Sequence, residues 1–291
     1  MKLLVTGATG FLGWRAAVLL AEEGHEVVPV SRPGSRSRAA SAAIDPIRID
    51  AGDPAVRELV AGCDAVLHFA GEPSPEGARR DPARAVRENA GTTLNLLEGC
   101  AEHGAGLIYP SSVRAAQDPP PDPYAMSKRL GENACRFHPA PATVVRLTSV
   151  FGPGQVTWEG ATGAIAAFAA RAIDDEPIVI PGDPRRTRDF VYVDDMVGAL
   201  GKIVQEGRWN QTLTIGSGVD TPLIEVAELV RDTVGSRSAI ETPGGVLAPG
   251  ENESYDTGAG LIFETRPLDT AVQLYVDWLR RHPAAQGRAR A

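Results

Sequence analysis

Tyr124 and Lys128 stand four residues apart in Tyr-Ala-Met-Ser-Lys-Arg-Leu-Gly-Glu, a spacing that puts both side chains on one face of a helix. A phenol with its ordinary pKa near 10 exchanges protons poorly at neutral pH. An ammonium one turn away, joined by the positive ring of an oxidised nicotinamide, favours phenolate and brings that pKa toward the working range. Lysine can also donate to a cofactor ribose as a compact point charge. Only Lys2, Lys128 and Lys202 occur among 29 basic residues, so a lysine kept at this spacing argues for a site. Upstream, Leu107-Ile108-Tyr109 runs into Pro110-Ser111-Ser112 and carries the Ser112 hydroxyl beyond the carboxyl end of a strand, where open α/β sheets bind ligands. Ser112 can hydrogen-bond a substrate oxygen and turn it toward Tyr124. Such a set suits movement of a hydride to or from a carbinol carbon, with Tyr124 handling the proton.

The hydride needs a carrier, and the chain opens on one that fits. Thr6-Gly7-Ala8-Thr9-Gly10-Phe11-Leu12-Gly13 follows a first strand and leads into a helix. Glycines at Gly-x-x-Gly-x-x-Gly spacing allow a tight turn, backbone approach to a pyrophosphate and close packing of helix on strand, with the helix N-terminus facing the anion. At the end of the second strand, where an acid usually bonds the ribose 2′-hydroxyl, the chain has Ser31-Arg32, with Arg36 following. A guanidinium there suits a 2′-phosphate, and no carboxylate repels it. NAD(P) is therefore the expected cofactor, with NADP(H) favoured over NAD(H); the competing reading makes Arg32 and Arg36 ordinary solvated charges. Asp50, ending the third strand, could bond the adenine or simply cap the next turn.

The elements that must hold these groups follow a βαβ rhythm. Short apolar runs at 2–6, 26–30, 47–50, 65–69, 106–109 and 143–147 alternate with helical stretches near 14–23, 53–61, 85–103 and 124–137. The expected fold is α/β: a Rossmann-type doubly wound parallel sheet with a smaller, interleaved C-terminal substrate lobe. Residues 1–155, joined by 187–217, are expected to form the nucleotide-binding domain and 156–291 the smaller lobe, with further strands at 190–193 and 212–215, helices at 223–234 and 268–280, and a frayed tail from 283. The net charge of -8 disfavours a nucleic-acid partner. Cys63, Cys100 and Cys135 show neither a disulfide framework nor metal-ligand spacing. With no leader-like N-terminus and no apolar run near the length of a membrane span, a cytoplasmic protein without a membrane partner is expected.

Jointly these motifs resemble the extended short-chain dehydrogenase/reductase family, which includes NAD(P)-dependent sugar-nucleotide epimerases and dehydratases. The likeness extends to His68-Phe69-Ala70-Gly71 after the fourth strand, Asn89 in Asn-Ala-Gly-Thr-Thr, the segment from Arg146 through Leu147 and Ser149 to Gly154, and Arg188-Asp189-Phe190-Val191-Tyr192-Val193-Asp194-Asp195. The resemblance implies that Tyr124 is the acid/base, that Lys128 lowers its pKa and holds the ribose, and that Ser112 positions the reacting oxygen. It also implies cofactor contacts from Gly7, Thr9, Gly10, Phe11, Leu12, Gly13, Ser31, Arg32, Arg36, Asp50, Ala51, Phe69, Ala70, Gly71, Asn89 and Leu147. Ser149 and Arg188 would face the substrate, Arg188 meeting an anionic group unless it is only part of a solvated loop with Arg185 and Arg186. A homodimer through two helices per subunit is the common family assembly.

The chain departs from the family where substrate chemistry is decided. Val-Tyr-Gly after the active-site serine is Arg114-Ala115-Ala116, and the Asp-Glu pair of sugar-nucleotide 4,6-dehydratases is Val113-Arg114. Without those acids, water elimination by that route is disfavoured. Ser149 replaces an asparagine that bonds the substrate diphosphate, and Ala248-Pro249-Gly250-Glu251 stands where an arginine is usual. The expected function is hydride transfer at a hydroxyl/keto carbon of a nucleotide-activated sugar, by an epimerase or a 4-ketoreductase. A reductase of a non-nucleotide compound and a non-catalytic dinucleotide sensor are the alternatives.

Overall fold

The computed structural model describes residues 1–35, 44–251, 254–255 and 263–286. In chain order its strands are β1 Lys2–Thr6, β2 Glu26–Ser31, β3 Ile47–Arg48, β4 Ala65–His68, β5 Gly106–Ser112 and β6 Ala142–Leu147, followed by β7 Ser149–Phe151, β8 Ile178–Pro181, β9 Thr187–Tyr192, β10 Thr212–Ile215, β11 Asp220–Pro222 and β12 Ile240–Gly244. Its α-helices are α1 Phe11–Glu22, α2 Pro75–Arg80, α3 Pro82–Val86, α4 Thr92–His103, α5 Pro123–Phe137, α6 Ala164–Ile173, α7 Val193–Gln205, α8 Leu223–Val234 and α9 Leu268–Arg281.

Seven strands pair in the order β3-β2-β1-β4-β5-β6-β10, every pairing parallel. The direction of strand succession reverses between β1 and β4, and ligands of such sheets sit in the crevice at that reversal. The runs that became β1, β4, β5 and β6 are largely buried on both faces, as parallel sheets require, whereas β2 and β3 at the edge stay partly exposed. Leu3, Val5, Leu67 and Ile108 pack with α1 and α7 on one side, while Leu4, Val66 and Leu107 meet Leu96 and Leu97 of α4 on the other. The C-terminal part adds a three-stranded sheet, β11-β9-β7, a parallel pair β12-β8, and a separate core of α6, α8 and α9 around Phe151, Phe190 and Tyr275.

Several local expectations shift. The third strand keeps only Ile47 and Arg48, because Pro46 precedes it and Asp50 folds back at once, its carboxylate accepting from Gly52 N–H at 2.8 Å. The stretch at 53–61 is 3₁₀ rather than α-helix: Asp53 caps it through Ala55 N–H at 2.9 Å, Pro54 follows, and Val56 N–H closes on Asp53 O at 3.0 Å. The helix expected over 85–103 is broken by a wide turn of π type at Arg87–Gly91, a form that recurs at functional sites. The strand near 190 begins earlier, as β9, and pairs with β7 and β11 rather than joining the large sheet. The tail is described only to 286, where residues 283–286 form turns and Ala285 is buried.

Candidate active site

The glycine loop is shaped by close approach. Gly7 has φ +67°, and a Cβ there would lie 2.7 Å from the carbonyl carbon of Phe69; one on Gly13 would lie 2.4 Å from Gly7 O. A Cβ on Gly10 would meet only Gly7 O, at 3.3 Å, and otherwise fill open space. That space is a cavity of about 830 Å³ above the first turn of α1, whose opening turn carries no acid. Its floor is Gly7, Thr9, Gly10, Phe11, Leu12 and Gly13. Ser31, Arg32, Asp50 and Ala51 line one end, Phe69, Ala70 and Gly71 a side, and Tyr124, Lys128 and Leu147 the other end. Size, glycine cradle and helix N-terminus fit an extended dinucleotide.

Asn89 is the exception among the described candidates. It lies behind the wall, fully buried, donating to Glu72 O at 3.2 Å and to Ser127 Oγ at 2.8 Å. A Cβ on Gly71 would fall 2.2 Å from its Oδ1, so Asn89 braces the wall rather than forming it. Arg36 lies outside the described residues.

His68 ties the glycine loop to α4. Its Nδ1 is 2.8 Å from Thr6 Oγ1 and its Nε2 is 3.0 Å from Thr92 Oγ1. Thr92 gives its proton to Glu88 O at 2.6 Å, so it accepts from His68 Nε2–H, which leaves Nδ1 to accept from Thr6. Burial, helped by the Lys128 charge, drives the His68 pKa down to about 3 and keeps the ring neutral.

Tyr124 opens α5. Asp122 caps that helix through Ala125 N–H at 2.8 Å, and Pro123 starts its first turn. Burial pushes the Tyr124 pKa up to about 12; Arg114 and a hydrogen bond with Ser112 pull it down, against Asp122 and Glu72. The phenol is therefore a neutral proton donor at ordinary pH. Lys128 donates to Pro110 O at 3.0 Å, and its ammonium lies 5.1 Å from the centre of the Tyr109 ring. Burial lowers its pKa to about 8 against the pull of Glu132. The cation that lowers the Tyr124 pKa is thus Arg114, in place of the Lys128 expected from the Tyr-x-x-x-Lys spacing.

Glu132, one turn beyond Lys128, locks the strand ends beside the site. It accepts from Ser111 Oγ at 2.6 Å and from Arg146 Nη2 at 2.7 Å, joining β5, α5 and β6 under Ser112.

A second cavity, of about 560 Å³, adjoins the first. Ser112, Tyr124 and Leu147 line both, whereas Lys128 lines only the first, and Ser149, Arg114 and Arg188 only the second. Arg188 donates to Thr187 O and to Glu251 O, each at 2.7 Å. The guanidinium groups of Arg188 and Arg114 lie 5.6 Å and 5.1 Å from the centre of the Tyr255 ring. Asp189 accepts from Ser217 N–H at 2.7 Å and Gly218 N–H at 2.9 Å, which fixes β9 and hence Arg188 against the end of the large sheet. Of the three basic residues read as one loop, Arg185 is solvated, while Arg186 and Arg188 line the cavity.

Arg114, Arg186, Glu251 and Tyr255 escaped the reading of site residues. Arg114 had a signal, two residues after Ser112. Glu251 and Tyr255 come from a loop more than a hundred residues away, and their types alone predict nothing about where that loop packs.

With the two cavities meeting at a phenol and a serine, the comparisons with known proteins fall into place. Residues 3–216 match the model of the NAD dependent epimerase/dehydratase family, and the chain belongs to that family. A UDP-glucose 4-epimerase of Mycolicibacterium smegmatis is 26% identical over 317 residues, spanning 100% of this chain and 97% of the relative. UDP-glucuronic acid decarboxylase 1 of Arabidopsis thaliana is 25% identical over 268 residues, covering 83% of this chain; the match spans only 60% of that longer relative. Among solved structures, a UDP-glucose 4-epimerase from Thermotoga maritima with UDP-glucose superposes with a TM-score of 0.85 at 26% identity, covering 96% of this chain and 99% of the other.

Proposed function

We propose that the chain transfers a hydride at a hydroxyl/keto carbon of a nucleotide-activated sugar, as an epimerase or a 4-ketoreductase. One observation carries this reading: Ser112 and Tyr124 line both cavities, so a carbon held in the smaller one lies next to whatever ring occupies the near end of the larger. A nicotinamide bound there supplies the hydride acceptor or donor. Tyr124, hydrogen-bonded with Ser112, gives its proton to the substrate oxygen as the neutral phenol when a carbonyl is reduced and takes one as phenolate when an alcohol is oxidised. Ser112 holds that oxygen in line, and Lys128 turns to the cofactor ribose. Arg188, helped by Arg186, meets an anionic group such as a diphosphate, with Ser149 nearby. Dehydration stays disfavoured because a guanidinium, Arg114, stands where that chemistry needs a carboxyl group.

The epimerase outcome draws support from the Mycolicibacterium smegmatis relative. The reductase outcome draws support from the end of β2, where Ser31-Arg32 rather than an acid suits NADP(H). Absorbance in the reduced-nicotinamide band separates them. Incubated with cofactor and a panel of UDP- and dTDP-sugars, an epimerase converts sugar with no net absorbance change, and a reductase consumes NADPH steadily with a keto-sugar. No conversion by either route contradicts the reading. We also propose a homodimer through α4 and α5, whose outer faces expose Leu94 at 46% and Leu130 at 40%. Light scattering tests it: a dimer mass that Leu130→Asp converts to monomer is expected, and a monomeric parent contradicts it.

A further inference from the structure

Several acids around the two cavities are matched by arginines: Asp122 holds Arg114, Glu132 holds Arg146, and Glu88 is shared by Arg84 and Arg32. Glu72 is matched on one oxygen only. It is 7% exposed and lines the large cavity between Gly71 and Pro73. Its Oε1 accepts from Ser74 N–H at 3.1 Å and from Ser74 Oγ at 3.0 Å. Among the described residues no donor reaches its Oε2, and no cation stands within ion-pair distance.

A carboxylate buried this deeply without a cation is costly unless hydrogen bonds replace its lost hydration. Its surroundings hold it in place all the same. Asn89 donates to Glu72 O at 3.2 Å, which fixes the backbone, and Gly77 packs so closely that a Cβ there would run into both carboxylate oxygens. Ser74 is committed as the cap of α2, its hydroxyl oxygen accepting from Gly77 N–H at 3.0 Å.

The position of Glu72 points to the donor that completes it. Pro73, the next residue, lines both cavities together with Ser112 and Tyr124, and the Glu72 charge is near enough to oppose ionisation of the Tyr124 phenol. In the hydride-transfer reading this junction holds the reacting carbon and its neighbours. A spare carboxylate oxygen takes an O–H, and beside a reacting 4-carbon the sugar carries one at position 3. We infer that Glu72 is a substrate-binding residue that accepts a hydrogen bond from the 3-hydroxyl of the sugar, and so selects sugars with that hydroxyl free. The inference rests on the nucleotide-sugar reading above and adds a group that reads the sugar ring itself.

Calorimetric titration of the dinucleotide-loaded chain with UDP-glucose, with its 3-deoxy analogue and with UDP tests this, each repeated with the dTDP counterpart. In the parent, loss of the 3-hydroxyl is expected to weaken binding at least about tenfold, the scale of one charge-assisted hydrogen bond. Glu72→Ala removes the acceptor and should bring the two sugars within about twofold of each other, with UDP affinity unchanged. Glu72→Gln keeps an amide oxygen for the two Ser74 donors and should lie between, with a melting temperature no lower than the parent's. A parent that binds both sugars alike overturns the inference and leaves the nucleotide-sugar site standing, as does a preference kept at parental size in both variants. Loss of UDP affinity along with the preference, in both variants, makes Glu72 structural and also overturns it. Binding of no UDP or dTDP compound removes the nucleotide-sugar reading and this inference with it.

Discussion

Asp122 joins Arg114 to the helix that carries Tyr124: one carboxylate oxygen accepts from the Arg114 guanidinium, the other from Ala125 N–H at 2.8 Å. The carboxylate is 1% exposed, and Arg114 also donates to Gly250 O at 3.0 Å. Arg114→Met strands that carboxylate, and breaking a pair this buried costs about 3 kcal/mol. Loss of the cation also raises the Tyr124 pKa further. A lower melting temperature and an alkaline shift of the limb for alcohol oxidation, where phenolate is the base, are expected. An unshifted profile removes Arg114 from the account of the phenol.

Lys128 titrates at about 8 instead of 10.5 because burial disfavours its ammonium. Between those values the unfolded chain holds the proton and the folded chain does not, so this group makes stability rise with pH across that window; below about 8 the full burial penalty is present. Activity that needs the ammonium runs the other way. Carbonyl reduction should fall above pH about 8, by about tenfold per unit. Lys128→Arg, which keeps its charge, should lower the rate but remove that limb. A limb identical in the variant contradicts the assignment.

Gly13→Ala places a methyl 2.4 Å from Gly7 O, whereas one on Gly91 meets nothing within 4 Å. The first is expected to cost about 1–3 kcal/mol and to weaken cofactor binding at least about tenfold. Gly91→Ala should be close to neutral. Thermal denaturation and cofactor titration read both, and equal behaviour of the two variants contradicts the close-approach account of the loop.

The sheet was legible because parallel strands buried on both faces must be apolar runs, and each of 2–6, 65–69 and 212–215 meets a strand of the large sheet. Tyr124, Lys128 and the glycines were legible because their spacing is local, one helical turn or one loop. Arg114 was visible only as a departure, and its partners Asp122 and Gly250 arise from packing between distant segments. Asn89 was read as a contact, yet the π-type turn at Arg87–Gly91 sets it behind the wall, and nothing in Asn-Ala-Gly-Thr-Thr marks that turn.

The most direct measurement compares parent and Tyr124→Phe in single-turnover hydride transfer, using whichever nucleotide sugar the panel converts, with cofactor affinity titrated in parallel. Loss of the phenol's proton is expected to lower the transfer rate by about 10²–10⁴-fold while cofactor affinity stays within about twofold. Transfer by Tyr124→Phe at the parent's rate would contradict the placement of that phenol at the meeting point of the two cavities as the acid/base.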